Sequence, residues 1–191
     1  MKKIFLVGCI VLGFYSYSQY PLLTDTSIFG AYSPNGLKNP KVYFKNFNAY
    51  SLTGENYSRE SLNNKITLIN FWFEACEPCL AEFEALNNLY SKFKKDKNFQ
   101  LLSFTFENHE DALKIAEKYN MRYPIFSLKR DSLYELNFNL GFPSTIITDK
   151  QGKIRFIKCG GPREQEQANK VVDSIYSKEI EQLLFDRLNN L

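Results

Sequence analysis

The chain has 191 residues, of which 44 % are hydrophobic and 24 % charged. That balance fits one globular domain with a normal apolar core and excludes a disordered, charge-rich chain. A net charge of +3, part of it carried by Lys2 and Lys3, excludes a nucleic-acid footprint, and no basic cluster suggests one.

Residues 1–18 predict a signal peptide. Met1, Lys2 and Lys3 form a basic start, residues 4–14 an apolar run of eleven, and Ser16 and Ser18 put small side chains before a cut at Gln19. Such a run falls short of the roughly 20 residues that span a bilayer as a helix. Two other readings stay open: lipidation of Cys9 behind Leu6-Val7-Gly8, or an uncleaved leader that tethers the domain to the inner membrane. All three imply an exported, periplasmic domain. Removal of Cys9 leaves Cys76, Cys79 and Cys159, an odd number that does not suit a structural disulfide framework. Cysteines two residues apart also make a poor staple, because so short a loop removes little unfolded-state entropy. Their spacing points to redox exchange.

Residues 19–40, with Pro21, Gly30, Pro34, Gly36 and Pro40, predict an extended N-terminal arm, leaving 41–191 as the folded domain. Residues 41–57 predict two short strands broken at Gly54. Residues 66–73 are almost continuously apolar, the pattern of a central strand buried on both faces. Leu80, Phe83, Leu86, Leu89 and Phe93 then recur at helical spacing over 77–95. A strand over 99–106, a helix over 110–119 and one or two helical turns over 131–136 follow. Strands over 144–148 and 154–158 form a hairpin through Gly152, and 164–188 predict one long amphipathic helix. This order is that of an α/β protein, with a central mixed sheet and helices on both faces.

The chemistry concentrates where the central strand gives way to a helix. Trp72, Cys76, Glu77, Pro78 and Cys79 lie there, with Pro78 suited to a helix's first turn. A sulfur at a helix N-terminus faces unpaired N–H groups and the positive end of the dipole, which favours the attacking thiolate. Cys76, before the helix, is the candidate nucleophile, and Cys79, one turn in, the resolving thiol. A zinc site would need four ligands, and Cys76, Cys79, Cys159 and His109 match no common spacing. No metal or other bound cofactor is expected. Glu82 interrupts the apolar stripe three residues after Cys79 and is a candidate proton acceptor, with a surface glutamate as the plain alternative. Glu77 beside the sulfur disfavours its thiolate and leans the pair towards reduction of others. Cys159 reads as a small buried hydrophobe.

With Gly141-Phe142-Pro143-Ser144-Thr145 before the penultimate strand, residues 41–185 resemble the thioredoxin superfamily, and more closely its exported TlpA/ResA-like branch. The resemblance implies a thioredoxin-like fold and a cis peptide bond at Pro143 facing the cysteine pair. It also implies that Phe142, Pro143 and Ser144 bind an extended substrate segment, and it adds weight to Glu82. The implied partners are oxidised cysteine-containing exported proteins, apocytochrome c among them, and a membrane thiol electron donor. The sequence departs from the pattern in three places: Ala75 replaces an aromatic, Asn70 a buried aspartate, and Phe142 a smaller residue. The rival readings are a peptide-binding module without turnover, a disulfide oxidase, and a thiol peroxidase, which would want a threonine where Phe73 stands.

Overall fold

The computed structural model describes residues 30–185. The expected signal peptide, Cys9 and the first part of the arm therefore lie outside the described residues.

One strand organises the sheet. All seven residues of β4 (Ile66–Trp72) are buried, as their unbroken apolar run requires. Ile66, Leu68 and Trp72 point into one core, Ile69 and Phe71 into the other. β4 pairs in parallel with β5 (Phe99–Thr105), which pairs in parallel with β6 (Ile125–Ser127). On its other side β4 pairs antiparallel with β7 (Ser144–Thr148), followed by β8 (Ile154–Cys159). Strand β1 (Leu37–Lys38) closes the edge against β8, giving the order β1-β8-β7-β4-β5-β6. A separate hairpin joins β2 (Asn48–Tyr50) and β3 (Asn56–Ser58).

Helices cover both faces, as expected. α1 (Glu77–Phe93) and α2 (His109–Lys118) supply Phe83, Leu86, Leu89 and Ile115 to the first core. α3 (Arg130–Leu136) covers the second with Leu133 and Leu136, helped by Ala31, Phe44 and Leu62 from the N-terminal segment. The arm is thus more than a loose cover over residues 30–40: it packs into the core and donates a strand. Lys38 binds the buried carboxylate of Glu179 at 2.6 Å, fastening that strand to the last helix.

The C-terminal helix is not the single α-helix expected. α4 (Gln165–Val171) passes through a π-helical turn (Val172–Ser177) into α5 (Lys178–Phe185). The buried residues explain the interruption: Ala168, Val172, Tyr176 and Ile180 recur every fourth position. A stripe at that spacing drifts around a helix of 3.6 residues per turn, and the wider π turn brings it back onto the sheet.

In the second core Phe104 stacks on Phe71 at 5.6 Å and on Phe126 at 4.7 Å, with Phe47 edge-on at 5.5 Å. Phe104→Ala would leave a cavity among rings held by three separate strands and loops. The expected loss is about 3–5 kcal/mol in urea unfolding, with the cysteine pair still closing to a disulfide on oxidation.

Candidate functional site

The register Phe71↔Ser144 sets the end of β4 beside the start of β7. The chain leaves β4 at Trp72, turns through residues 73–75 and starts α1 at Glu77, with Cys76 as its N-cap. There the Cys76 sulfur accepts the Cys79 backbone N–H at 3.3 Å. Pro78 occupies the first turn, where the lack of an N–H costs nothing. Cys76 and Cys79 are joined by a disulfide, their Cα atoms 5.2 Å apart. Both residues are buried, Cys76 at 5 % exposure and Cys79 at 1 %, so Cys76 is the more accessible by a small margin.

The Phe142–Pro143 peptide bond is cis. Phe142 and Cys76 line one open cleft of about 420 Å³, together with Phe73, Ala75, Glu77, Pro78 and Arg163. One wall is aromatic: Phe142 packs edge-on against Phe73 at 5.3 Å, Tyr134 at 5.4 Å and Phe106 at 5.8 Å. Arg130 lies over the Phe106 ring at 4.7 Å. Ring contacts of this kind hold large side chains rigid at small entropic cost. On the rim, Glu77 faces Arg163 at 3.5 Å, both well exposed. Arg163 was not visible as a site residue in the sequence, since 86 positions separate it from Glu77. It offsets part of the charge that Glu77 presents to Cys76.

Two of the expected site residues face inward. Trp72 is fully buried, donates its indole N–H to Ser103 Oγ at 2.9 Å, and sits edge-on to Phe83. It shapes the strand end and does not line the cleft. Ser144 is also buried, paired across the sheet with Phe71 and Cys159. Cys159 is a free buried thiol in the core on the opposite face of the sheet from the disulfide. Burial pushes that thiol up from its ordinary value, against hydrogen bonds from the Gly141 backbone and Tyr32.

Beneath the disulfide lies a buried polar layer. Glu82 is completely buried on α1, one turn below Cys79. Its Oε1 accepts the Tyr176 hydroxyl at 3.4 Å, and its Oε2 has no hydrogen-bond partner among the described residues. Burial pushes the carboxyl up to about 8, opposed by the charge of Lys158 and by the Tyr176 hydroxyl. Asn70, Thr145 and Lys158 stand in one row across β4, β7 and β8 on the same side of the sheet. Asn70 donates to Thr145 Oγ1 at 3.4 Å. Gly161 abuts the layer: a Cβ there would lie 3.0 Å from Glu82 Oε1 and 3.2 Å from Pro143 Cγ. Tyr176 and Lys158 escaped the sequence reading. The four-residue spacing of Val172, Tyr176 and Ile180 was the available signal for the first, and a lysine in an apolar strand for the second.

In the folded protein burial moves the Glu82 midpoint from its ordinary 4.5 to about 8, so an ionised fraction able to take a proton grows as pH rises through neutrality. Stability tied to this group is therefore complete below pH 4.5 and is lost as pH rises towards 8. Glu82→Gln, neutral at every pH, should gain on the wild type in urea unfolding across that window. The gain expected at its upper end is on the order of a few kcal/mol.

The family profile described as AhpC/TSA matches residues 40–157. The thiol-disulfide oxidoreductase ResA of Bacillus thuringiensis subsp. konkukian is 25 % identical over 173 residues, covering 90 % of this chain and 92 % of that one. Among solved structures, the thioredoxin domain of a thiol-disulfide oxidoreductase from Bacteroides vulgatus superposes with a TM-score of 0.57 at 26 % identity, covering 69 % of this chain and 96 % of that one. A thiol:disulfide interchange protein of the thioredoxin family from Chlorobium tepidum superposes at 0.58 with 18 % identity, covering 71 % and 96 %. The sheet order, the helices on both faces and the cysteine pair at the head of α1 are those of a thioredoxin-like fold, and the chain belongs to the AhpC/TSA family.

Proposed function

We propose that this protein is an exported thiol–disulfide oxidoreductase that reduces disulfides of other exported proteins. The observation that carries the reading is the Cys76–Cys79 disulfide at the N-terminus of α1, opening on a cleft walled by Phe142 beside the cis Pro143. The oxidoreductase names of the relatives support it.

The cycle runs as two thiol–disulfide exchanges. In the reduced protein the Cys76 thiolate attacks one sulfur of a substrate disulfide and releases the other as a thiolate, leaving a mixed disulfide at Cys76. Cys79 gives its proton to the Glu82 carboxylate and attacks Cys76, forming the Cys76–Cys79 bond. The second substrate sulfur leaves as a thiolate and is protonated. Two electrons pass from the cysteine pair to the substrate, and a membrane thiol donor restores the dithiol.

In this reading the Phe142 backbone holds the substrate as an extended strand beside the cis Pro143, whose carbonyl is taken by the Gly160 N–H, while Ser144 is held between β4 and β8; the aromatic wall contacts the side chains beside the substrate cysteine. Pro78 fixes the first helical turn, and Trp72 fixes the strand end from within. Glu77 biases Cys76 towards the disulfide, less than a lone carboxylate would because Arg163 stands against it. Export is supported by the signal peptide read in residues 1–18, with tethering to the inner membrane by an uncleaved leader as the alternative. Among the described residues no helix is long and apolar enough to cross a membrane.

Cys76→Ser should reduce insulin disulfides no faster than the uncatalysed background, while Cys79→Ser should accumulate a mixed disulfide with the substrate. Activity unchanged in Cys76→Ser would overturn the mechanism. Equilibration with dithiothreitol should give the pair a reduction potential near or below about −270 mV, the range of a reductant. A value near −120 mV would make it an oxidant instead. Glu77→Gln should raise the potential by less than about 30 mV, because the carboxylate is exposed and already paired.

A further inference from the structure

We propose that Lys158 is a positioning residue for Glu82: it supplies the buried positive charge that eases ionisation of the carboxyl, so that it can take the Cys79 proton. The inference rests on the reading of Glu82 as the proton acceptor.

Lysine is almost never buried unless it is paired. Lys158 is nonetheless only 6 % exposed, on a strand whose neighbouring inward residue on the same face is Phe156. An apolar side chain would satisfy the packing there, so the cation has another use. Its Nζ donates to the Gly160 carbonyl at 2.8 Å, which bends the side chain back to the Gly160-Gly161 turn. Gly161 abuts the Glu82 carboxyl so closely that a Cβ there would come within 3.0 Å of Oε1. The amine is therefore pinned one residue from that contact. Lys158 also ends the in-register row that begins at Asn70 and passes through Thr145, beneath Glu82 and Tyr176.

Glu82 needs such a charge. Its Oε2 has no hydrogen-bond partner among the described residues, and its Oε1 receives only the long Tyr176 bond. A buried carboxyl so poorly served holds its proton more firmly still when no cation acts on it. The groups facing it are Cys79 on its own helix, Tyr176 from the π turn, Tyr123 from the segment before β6, and Lys158 from β8. Cys159, behind the sheet, acts on Lys158 and Tyr176. Of these groups only Lys158 carries a positive charge. Lys158 and Glu82 are not in direct contact, since their charged atoms form none of the ion pairs within 4.0 Å, so the influence passes through space in a low-dielectric interior.

The test is a pH titration of the Glu82 carboxyl by ¹³C NMR in the oxidised protein, beside the pH profile of insulin reduction. Lys158→Met should move the Glu82 midpoint and the acid limb of the rate upward by roughly one pH unit or more. That is about a tenfold loss of rate at a fixed pH below the midpoint. Lys158→Gln keeps a donor for the Gly160 carbonyl without the charge and should shift both in the same way. Lys158→Arg should restore the wild-type profile. A Glu82 midpoint unmoved in folded Lys158→Met or Lys158→Gln would overturn the proposal. So would an equal shift of the rate profile in a Glu82→Gln background. The NMR readout needs no turnover: a protein that never reduces insulin, yet whose Glu82 midpoint follows Lys158, keeps the charge pairing and loses the function proposed above.

Discussion

Everything at the site depends on β4 having no exposed face. A strand buried on both sides can be neither slipped nor tilted without moving a whole set of side chains between two cores. Its register with β7 is thereby fixed, and that register sets Phe71 opposite Ser144. The consequence is local: the residue before Ser144 is the cis Pro143, and the chain leaving β4 reaches Cys76 four residues after Trp72. Cys76 and Phe142, the residue before that proline, line one cleft because two distant segments share one strand pairing.

The polar layer under the disulfide draws on the same burial. The sheet offers three adjacent strands, and one residue from each, Asn70, Thr145 and Lys158, faces the same side in a row. Helices lay Glu82 and Tyr176 over it. Such a group of polar residues is costly where partners are incomplete, and here one acceptor oxygen on each of Asn70 and Glu82 has none among the described residues. Incomplete satisfaction keeps the protonation state of Glu82 responsive to small changes in neighbouring charge, which a fully bonded carboxylate would resist.

Much of this was legible in the sequence because it rests on local patterns. The continuous apolar run of β4, the helical spacing after Cys79 and the glycine-containing hairpin at Gly152 each report their own element. Glu82 betrayed itself as a charge in an apolar stripe, and its burial agrees. The missed features are those that only tertiary contact creates. Strands β1 and β6 are two and three residues long, too short for periodicity to register. The π turn answers to the surface it packs on, and Lys158 looks like any strand lysine until Gly161 and Glu82 are brought beside it. Arg163 met Glu77 for the same reason, through folding of the loop after β8.

The two margins of the sheet have a further meaning. Along β8 the outer backbone is taken by β1, held in place by Lys38 and Glu179. Along β6, Ser51 bridges Phe126 and the Leu52 N–H donates to the Ile125 carbonyl at 2.8 Å. Both covers come from the chain ahead of β4. An open sheet margin invites another copy to pair with it and grow into an aggregate. Here the early chain blunts both margins of the six-stranded sheet, so a crowded population of these molecules finds β8 and β6 already covered, and the cleft beside the disulfide is the place where backbone pairing with a foreign polypeptide is proposed.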